Sequence, residues 1–265
     1  NPYHVWLSEI MLQQTTVVTV KPYFKYFLAI WPNIKVLAIA PLDDVLHAWQ
    51  GLGYYARARN LHKCANIVAS EYYGLFPQDE KNLLKLPGIG PYTAAAISAI
   101  AFGKKTTPVD GNIERVIARL FSVTEPIPKS KSKLCELACS MTPDARAGDY
   151  AQALMDIGAT ICTPKKPMCN LCPLSGECKA EASGIAGNLP NRVPKKKKPT
   201  RVGTIFWLSN DKGEVLLRRR PEKGLLGGMV GLPSSDWQEN SPTQKKIFND
   251  APAEITWKIL PGRVR

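Results

Sequence analysis

The spacing of apolar side chains over residues 1–160 predicts a succession of short amphipathic helices. In the segment PLDDVLHAWQGLG, Val45, Leu46 and Trp49 fall on one helical face. A proline opens this segment and Gly51 ends it, which is typical of a single helix. Strict alternation of apolar and polar residues is almost absent, so we expect this part of the chain to be all-helical. Further helices are predicted within GPYTAAAISAIAFG (90–103), GNIERVIARLF (111–121) and DYAQALMDIGATIC (149–162).

The pattern changes at residues 184–201, GIAGNLPNRVPKKKKPTR, where glycines, prolines and four consecutive lysines replace the helical periodicity. Such a composition cannot form a core element and predicts a linker, whose lysines are either simply solvated or contact a DNA backbone. After it, VGTIFWLS, NDKG and EVLLRRR predict a strand, a turn and a second strand. We therefore expect a helical domain over residues 1–183 and an incomplete, β-containing module over 202–265.

Charge narrows the class of partner. The chain of 265 residues has a formal net charge of +13 and a pI near 9.4. This favours a polyanion such as nucleic acid over an anionic membrane surface, although a soluble protein that is merely basic is the alternative. No apolar run is long enough to span a membrane, and the first residues lack a secretory leader, so we expect the protein not to be secreted. The odd number of cysteines also favours a reducing compartment.

A tight turn between two predicted helices is the first motif with a chemical meaning. In LKLPGIGPYTAAAI, a helix is expected to end at Leu86, Gly88 and Gly90 frame the turn, and a second helix begins at Pro91. Glycines let the backbone approach a ligand, and a helix start offers free N–H groups to a phosphate. The pattern indicates a helix-hairpin-helix that holds a DNA backbone, with an ordinary inter-helix turn as the alternative.

Two carboxylates stand out. Asp110, in TPVDGNIERV, is either a helix N-cap or a carboxylate directed into a cleft beside the hairpin. Glu9 lies in an otherwise apolar helix, so it is either solvated at the helix edge or buried with a raised pKa, as a general acid requires. Gln13 and Gln14 follow directly, and such a pair either contacts bases or is ordinary surface glutamine.

Four of the seven cysteines lie within CTPKKPMCNLCPLSGEC, at Cys162, Cys169, Cys172 and Cys178. Four thiolates in one loop can surround a tetrahedral zinc ion or a larger iron–sulfur cluster, and the spacing alone leaves both open. Two lysines within the loop also make it a candidate DNA contact. The other cysteines, Cys64, Cys135 and Cys139, are expected to be small packed residues of helices.

Together these segments resemble one superfamily, the helix-hairpin-helix DNA glycosylases that carry a [4Fe–4S] cluster. The resemblance covers roughly residues 1–180 and rests on SEIMLQQT, GLGYYARARN, LPGIGPYTAAAI, VDGNIERV and the cysteine loop, in that order. It implies a mainly α fold, with the cluster bound by the four cysteines of residues 162–178. The segment GLLGGMVGLP is similar to the opening of a Nudix-like domain, without the acidic helix that binds metal in pyrophosphohydrolases.

The resemblance extends to one of two branches. Endonuclease III-like members remove oxidised pyrimidines and cut the strand through a lysine two positions after the second hairpin glycine, where this chain has Tyr92. The other branch, the adenine glycosylases, carries the acid found here as Glu9. The resemblance therefore implies removal of adenine mispaired with 8-oxoguanine or guanine, with little or no lyase activity.

Residue roles follow from the same resemblance. Glu9 protonates adenine, while Asp110 stabilises the cationic sugar with support from Tyr92 and Asn112. The amides of Gly88 and Gly90 hold the DNA backbone, and Gln152 contacts the adenine edge. Gln14 and Tyr54, with Gln13 beside them, belong to the segments that enter the base stack.

The expected partner is double-stranded DNA with an A:8-oxoguanine or A:G mispair, bound by a monomer without membrane association. The expected location is the cytoplasm or nucleoid of a bacterium, or the nucleus or mitochondrion of a eukaryote. An endonuclease III-like pyrimidine glycosylase/lyase is the alternative function, and a non-catalytic iron–sulfur DNA-binding module is a further one.

Overall fold

The structure is a computed structural model that describes residues 1–194, 199–222, 224, 226–239 and 248–260. The chain divides into two compact units, Asn1–Pro194 and Lys195–Arg265. The four consecutive lysines of the expected linker lie outside the described residues. Among the described residues, no helix combines the length and the apolar character needed to cross a bilayer.

The first unit consists of helices, and residues 1–194 contain no β-strand, as the sequence predicts. Its α-helices are α1 (Pro2–Leu12), α2 (Val17–Ile30), α3 (Ile34–Ile39), α4 (Leu42–Ala48), α5 (Ala56–Glu71), α6 (Glu80–Leu83), α7 (Pro91–Phe102), α8 (Gly111–Leu120), α9 (Lys131–Ser140), α10 (Ala147–Asp156) and α11 (Lys179–Ala182). A π-helical turn, Ile157–Ile161, continues α10 towards the cysteine loop.

The core of this unit forms around α1, which contributes Trp6, Leu7, Ile10 and Met11 at no more than 1% exposure. The central helix α7 is built largely from alanines, so α1 and α10 can pack closely against it. A Cβ at Gly148 of α10 would lie 2.6 Å from the Ala99 carbonyl oxygen, which shows how close α10 and α7 are. This packing brings α1, α7 and the N-terminus of α8 to one region of the unit.

Several predicted boundaries are confirmed and some details are wrong. Helix α7 ends at Gly103, as predicted, and Gly103 is left-handed. Helix α6 ends at Leu83 and not at Leu86. Cys64 is fully buried, but Cys135 and Cys139 are exposed, because only the opposite side of α9 packs against α8. The prediction that these two are packed residues is therefore wrong.

The second unit contains short antiparallel pairings in its described residues. Strand β1 (Arg218–Arg219) pairs with β2 (Val230–Gly231). The predicted strand over VGTIFWLS is wrong, because residues 202–209 form only isolated bridges. One of these, between Ser209 and Val215, spans the predicted NDKG turn. The Phe206 and Trp257 rings meet edge-to-face with centroids 5.2 Å apart, forming a small aromatic contact within this unit.

Candidate active site and cysteine loop

Glu9 is a buried acid. The apolar face of α1 carries it into the first unit, where only 8% of the residue is exposed. Burial raises the pKa of Glu9 to about 6, and the charge of Asp110 raises it as well, whereas a hydrogen bond from Tyr92 opposes the shift. Glu9 is therefore buried with a raised pKa and is not solvated at the helix edge. Neighbouring helices cover a position that an isolated helix would expose.

Tyr92, in the first turn of α7, joins the two carboxylates. Its hydroxyl donates to Glu9, and burial together with the charges of Glu9 and Asp110 raises the pKa of Tyr92. The hydroxyl also lies 3.9 Å from the Met155 sulfur on α10. Tyr92 therefore stays protonated and holds the Glu9 carboxyl in one orientation beside Asp110.

Asp110 caps α8, as one of the two alternatives for it predicts, and its direction into a cleft stays a prediction. Its Oδ1 accepts from the backbone N–H groups of Asn112 (2.9 Å) and Ile113 (2.8 Å). Its Oδ2 accepts from the Asn112 side-chain amide at 3.0 Å. The N-terminal helix position stabilises a negative charge on Asp110, and its charge also acts on Glu9 and Tyr92. The cap thus fixes the carboxylate next to the buried acid.

A chain of hydrogen bonds links Asp110 to the cysteine loop. The Asn112 Oδ1 accepts from Arg115 Nη2 at 2.8 Å, and Arg115 Nε donates to the Cys162 carbonyl at 2.6 Å. Arg115 Nη2 also donates to the Gly158 carbonyl at 2.6 Å, and Gly158 packs directly on Asn112. Asn112 is therefore held from two sides.

The hairpin has one glycine that its conformation requires. Gly88 has a φ of +78°, and a Cβ there would lie 3.0 Å from the Asn60 Cβ. Gly90 caps α7 with a φ of −96°, which other residues adopt, and a Cβ there would meet no atom within 4 Å. Open space at Gly90, beside the first N–H groups of α7, is suited to a phosphate.

Gln13 points towards this hairpin. Its side-chain amide donates to the Gly88 carbonyl at 3.3 Å and to the Thr93 hydroxyl at 3.4 Å. Gln13 therefore ties the end of α1 to the turn. Its expected contact with DNA stays a prediction, as do those of Gly88 and Gly90.

Gln14 and Tyr54 lie on two neighbouring loops. Both are exposed, Tyr54 to 62%, and both have positive φ angles, +59° for Gln14 and +49° for Tyr54. The buried Arg57 contacts both loops. Gln152 is exposed on α10, where its amide donates to the Gly148 carbonyl at 3.1 Å, and it lies one turn before Met155.

The four cysteines of the loop line one small cavity, together with Arg119 and several apolar side chains. Each is half-buried and none forms a disulfide. Burial, and then the charges of Cys178, Glu181 and the two other cysteines of the loop, raise the pKa of Cys169. In the described part of the chain, no three His, Cys, Asp or Glu side chains converge closely enough to hold a single metal ion.

Sequence reasoning missed the buried arginines that organise these segments. Arg119, 2% exposed, donates to the Cys162 sulfur (3.1 Å) and to the carbonyls of Thr163 (2.8 Å), Pro164 (3.1 Å) and Leu189 (2.9 Å). Arg57 and Arg115 are buried as well. In the sequence, each can be recognised only as an arginine at a helix position where the periodicity predicts a buried apolar residue.

Comparison with known proteins agrees with this geometry. Residues 7–140 match the family model described as HhH-GPD superfamily base excision DNA repair protein. The chain is 40% identical to the adenine DNA glycosylase of Buchnera aphidicola subsp. Baizongia pistaciae over 255 residues, 93% of this chain and 73% of that protein. The human adenine DNA glycosylase is 35% identical over 293 residues, 93% of this chain and 54% of that protein.

A solved structure shares the fold of most of this chain. It is a thermostable thymine-DNA glycosylase with a TM-score of 0.63 and 33% identity, over 69% of this chain and 85% of that one. The family model, the relatives and the mainly helical fold point to the same group of enzymes. The chain therefore belongs to the HhH-GPD superfamily of base excision DNA repair proteins and, within it, to the adenine DNA glycosylase family.

Proposed function

We propose that this protein hydrolyses the N-glycosidic bond of adenine mispaired with 8-oxoguanine or guanine in double-stranded DNA. The observation that carries the proposal is the pairing of Glu9, a buried acid with a pKa near 6, with the capped carboxylate Asp110. Two carboxyl groups in different environments are what cleavage through an oxocarbenium-like state requires. A target base inside a duplex must first be flipped into the site.

Glu9 is the general acid in this proposal. Adenine leaves readily only when it is protonated, and Glu9 supplies the proton at N7. A carboxyl with a pKa near 6 is protonated in about a tenth of the molecules at pH 7, a far larger share than for an exposed carboxyl with an ordinary pKa. The Tyr92 hydroxyl orients the carboxyl towards the base.

Asp110 stabilises the positive charge that develops on the sugar. Its two oxygens already accept from Asn112 and Ile113, so the carboxylate keeps its position while that charge forms. Transient covalent attachment of Asp110 to the sugar carbon is followed by attack of water, which releases an abasic sugar and regenerates the carboxylate.

The position of Tyr92 supports hydrolysis without strand cleavage. A lyase needs an amine that forms a Schiff base with the opened sugar, and a phenol cannot form one. We therefore infer that the protein leaves an abasic site and does not cut the strand.

Recognition of 8-oxoguanine is proposed from the similarity of GLLGGMVGLP to the opening of a Nudix-like domain. We assign it to the second unit, as a Nudix-like module. Residues 184–194 of the expected linker belong to the first unit, where Ala186 and Leu189 are buried. The active form is a monomer that works where genomic DNA is, in the nucleoid of a bacterium or in the nucleus or mitochondrion of a eukaryote.

We further propose that Cys162, Cys169, Cys172 and Cys178 bind a [4Fe–4S] cluster. The resemblance favours this cluster over a single zinc ion, and the wide outer spacings of the four cysteines also suit a larger group. In a cubane, each thiolate binds a different iron, which suits cysteines spread around a cavity. The guanidinium of Arg119 at Cys162 offsets thiolate charge. A cluster there would cross-link the loop and carry redox chemistry, while Glu9 and Asp110 act on the glycosidic bond.

One experiment tests the catalytic proposal. The full chain is incubated with duplexes that contain adenine opposite 8-oxoguanine or thymine glycol opposite adenine, and products are resolved with and without alkali. We expect adenine release and a nick only after alkali, and an inactive Asp110→Asn variant that still binds the duplex. A direct nick at thymine glycol would favour an endonuclease III-like enzyme, and binding without base release a non-catalytic module.

The cluster has a test that does not depend on activity. We expect anaerobically purified protein to have a broad visible absorption and about four irons per chain. Cys169→Ser should weaken that absorption, whereas Cys139→Ser, at an exposed position on α9, should leave it unchanged. Colourless protein with one zinc ion would refute the assignment.

A further inference from the structure

Arg57, in the first turn of α5, is a buried cation that binds backbone. Only 7% of it is exposed, and burial lowers its pKa, although a guanidinium stays charged at any physiological pH. A buried charge of this kind needs several hydrogen bonds. Its partners are main-chain carbonyls at the end of α1 and in two loops, together with one hydroxyl.

The first set of partners lies at the end of α1. Arg57 Nη1 donates to the carbonyls of Ile10 (3.2 Å), Met11 (2.8 Å) and Gln13. The last carbonyls of a helix have no partner within it and form the negative end of its dipole. Arg57 therefore closes the helix that carries Glu9 and fixes the loop that follows it.

The second set lies on the loop between α4 and α5. Arg57 Nη2 donates to the carbonyls of Leu52 (2.9 Å) and Gly53 (3.4 Å), and also to the Thr15 hydroxyl (3.1 Å) in the first loop. The guanidinium carbon lies 5.3 Å from the ring centre of Trp49 and 5.6 Å from that of Tyr54. One side chain thus joins both loops.

Each loop presents one exposed residue in a sparsely populated backbone conformation. Gln14 has a φ of +59° and Tyr54 a φ of +49°. Residues other than glycine keep such angles only where the surrounding structure holds them. Arg57 donates to the carbonyl of the residue just before each of them, Gln13 and Gly53.

We propose that Arg57 is a positioning residue that sets the two loops in one geometry, so that Gln14 and Tyr54 enter the base stack together. The same contacts tie this entry to the helix that carries Glu9. The inference rests on the proposed function, because it assumes that a base pair is opened at this surface. Beyond the proposed function, opening of the base pair then depends on Arg57, a buried side chain that does not touch DNA.

The variants Arg57→Met and Arg57→Lys separate this role from general stability. Methionine removes every hydrogen bond, whereas lysine keeps the charge and at most three donors. Leu61→Ala is the matched control, because Leu61 is fully buried one turn further along α5 and contacts neither loop through a hydrogen bond. All measurements are made at a temperature where circular dichroism shows each variant to be folded.

Opening is measured in the Glu9→Gln background, where the duplex stays intact, by the fluorescence of 2-aminopurine placed beside the mispair. We expect Arg57→Met to lose most of the fluorescence increase, Arg57→Lys to lose part of it, and Leu61→Ala to keep it. With Glu9 present, Arg57→Met should slow single-turnover adenine release by about ten- to a hundred-fold, as small misplacements at an active site do. Adding Tyr54→Ala to Arg57→Met should cause little further loss, because the arginine acts through that residue.

The outcomes that overturn the inference are distinct from those that overturn the function. An unaltered chain that releases no adenine contradicts the proposed function. If the unaltered chain is active, two results contradict the positioning role alone. In the first, Arg57→Met opens the duplex as well as the parent does. In the second, Leu61→Ala loses as much of the fluorescence increase as Arg57→Met. If Arg57→Met does not fold, Arg57→Lys decides the question by the same comparison.

Discussion

Replacing Glu9 by glutamine should slow adenine release by about 10²–10⁴ and stabilise the protein at the same time. Burial shifts the pKa of Glu9 from 4.5 to about 6, so the folded state binds this proton more tightly than the unfolded state. Stability from this group is complete below pH 4.5 and is lost as the pH rises to about 6. The shift corresponds to a cost of about 2 kcal/mol for the ionised carboxylate above that range. Glutamine carries no such cost and still accepts from Tyr92.

Denaturant and thermal unfolding at two pH values measure this cost. At pH 8, we expect Glu9→Gln to exceed the parent by about 2 kcal/mol, or by about 4–8 °C in Tm for a unit of this size. At pH 5, the difference should shrink to less than about 1 kcal/mol, because Glu9 is then largely protonated in the folded state. Adenine release by the variant should fall by about 10²–10⁴, the usual contribution of a general acid, with duplex affinity retained.

The pH dependence of kcat/KM gives an independent measurement on the parent protein. Because the acid must be protonated, kcat/KM should fall as the pH rises through about 6, the pKa of Glu9 in the free enzyme. A Glu9→Gln variant that releases adenine at the parental rate would refute the assignment of the acid. Equal stabilities at pH 8 would show that Glu9 does not pay a burial cost.

Three glycine substitutions extend the test to the supporting structure. Gly88→Ala should lower the free energy of unfolding by about 1–3 kcal/mol, since its φ is +78°, as urea titration would show. Gly90→Ala should leave stability unchanged and weaken duplex binding, because its Cβ would fill the open space beside the α7 N-terminus. Gly158→Ala would place a Cβ 2.7 Å from the Asn112 Cβ, and we expect adenine release about tenfold slower. Gly176→Ala, where a Cβ meets nothing within 4 Å, is the control in the cysteine loop and should behave as the parent.

Much of the helical framework is readable from the chain because its signals are local. A proline at the start and a glycine at the end define α7, and an aspartate cap defines α8. Cysteine spacing similarly marks one loop as a metal-binding candidate. These features depend on neighbours within a few residues, so no knowledge of the fold is needed to recognise them.

The environment of Glu9 was not readable in this way. A carboxylate in an apolar helix is compatible with exposure or burial, and only the packing of α1 against α7 places Tyr92 and Asp110 beside it. The choice between the two alternatives therefore depended on contacts between residues far apart in the chain.

The sequence by itself determined the helical class, the hairpin, the loop of four cysteines and the residue types available for chemistry. Tertiary structure alone decided that Glu9 is buried with a raised pKa, that Cys135 and Cys139 are exposed, and that Arg57 joins two loops. The physical reason is that caps and turns arise from interactions within one turn of chain. Desolvation, pKa shifts and buried guanidinium contacts depend on which distant segments fill the surrounding space.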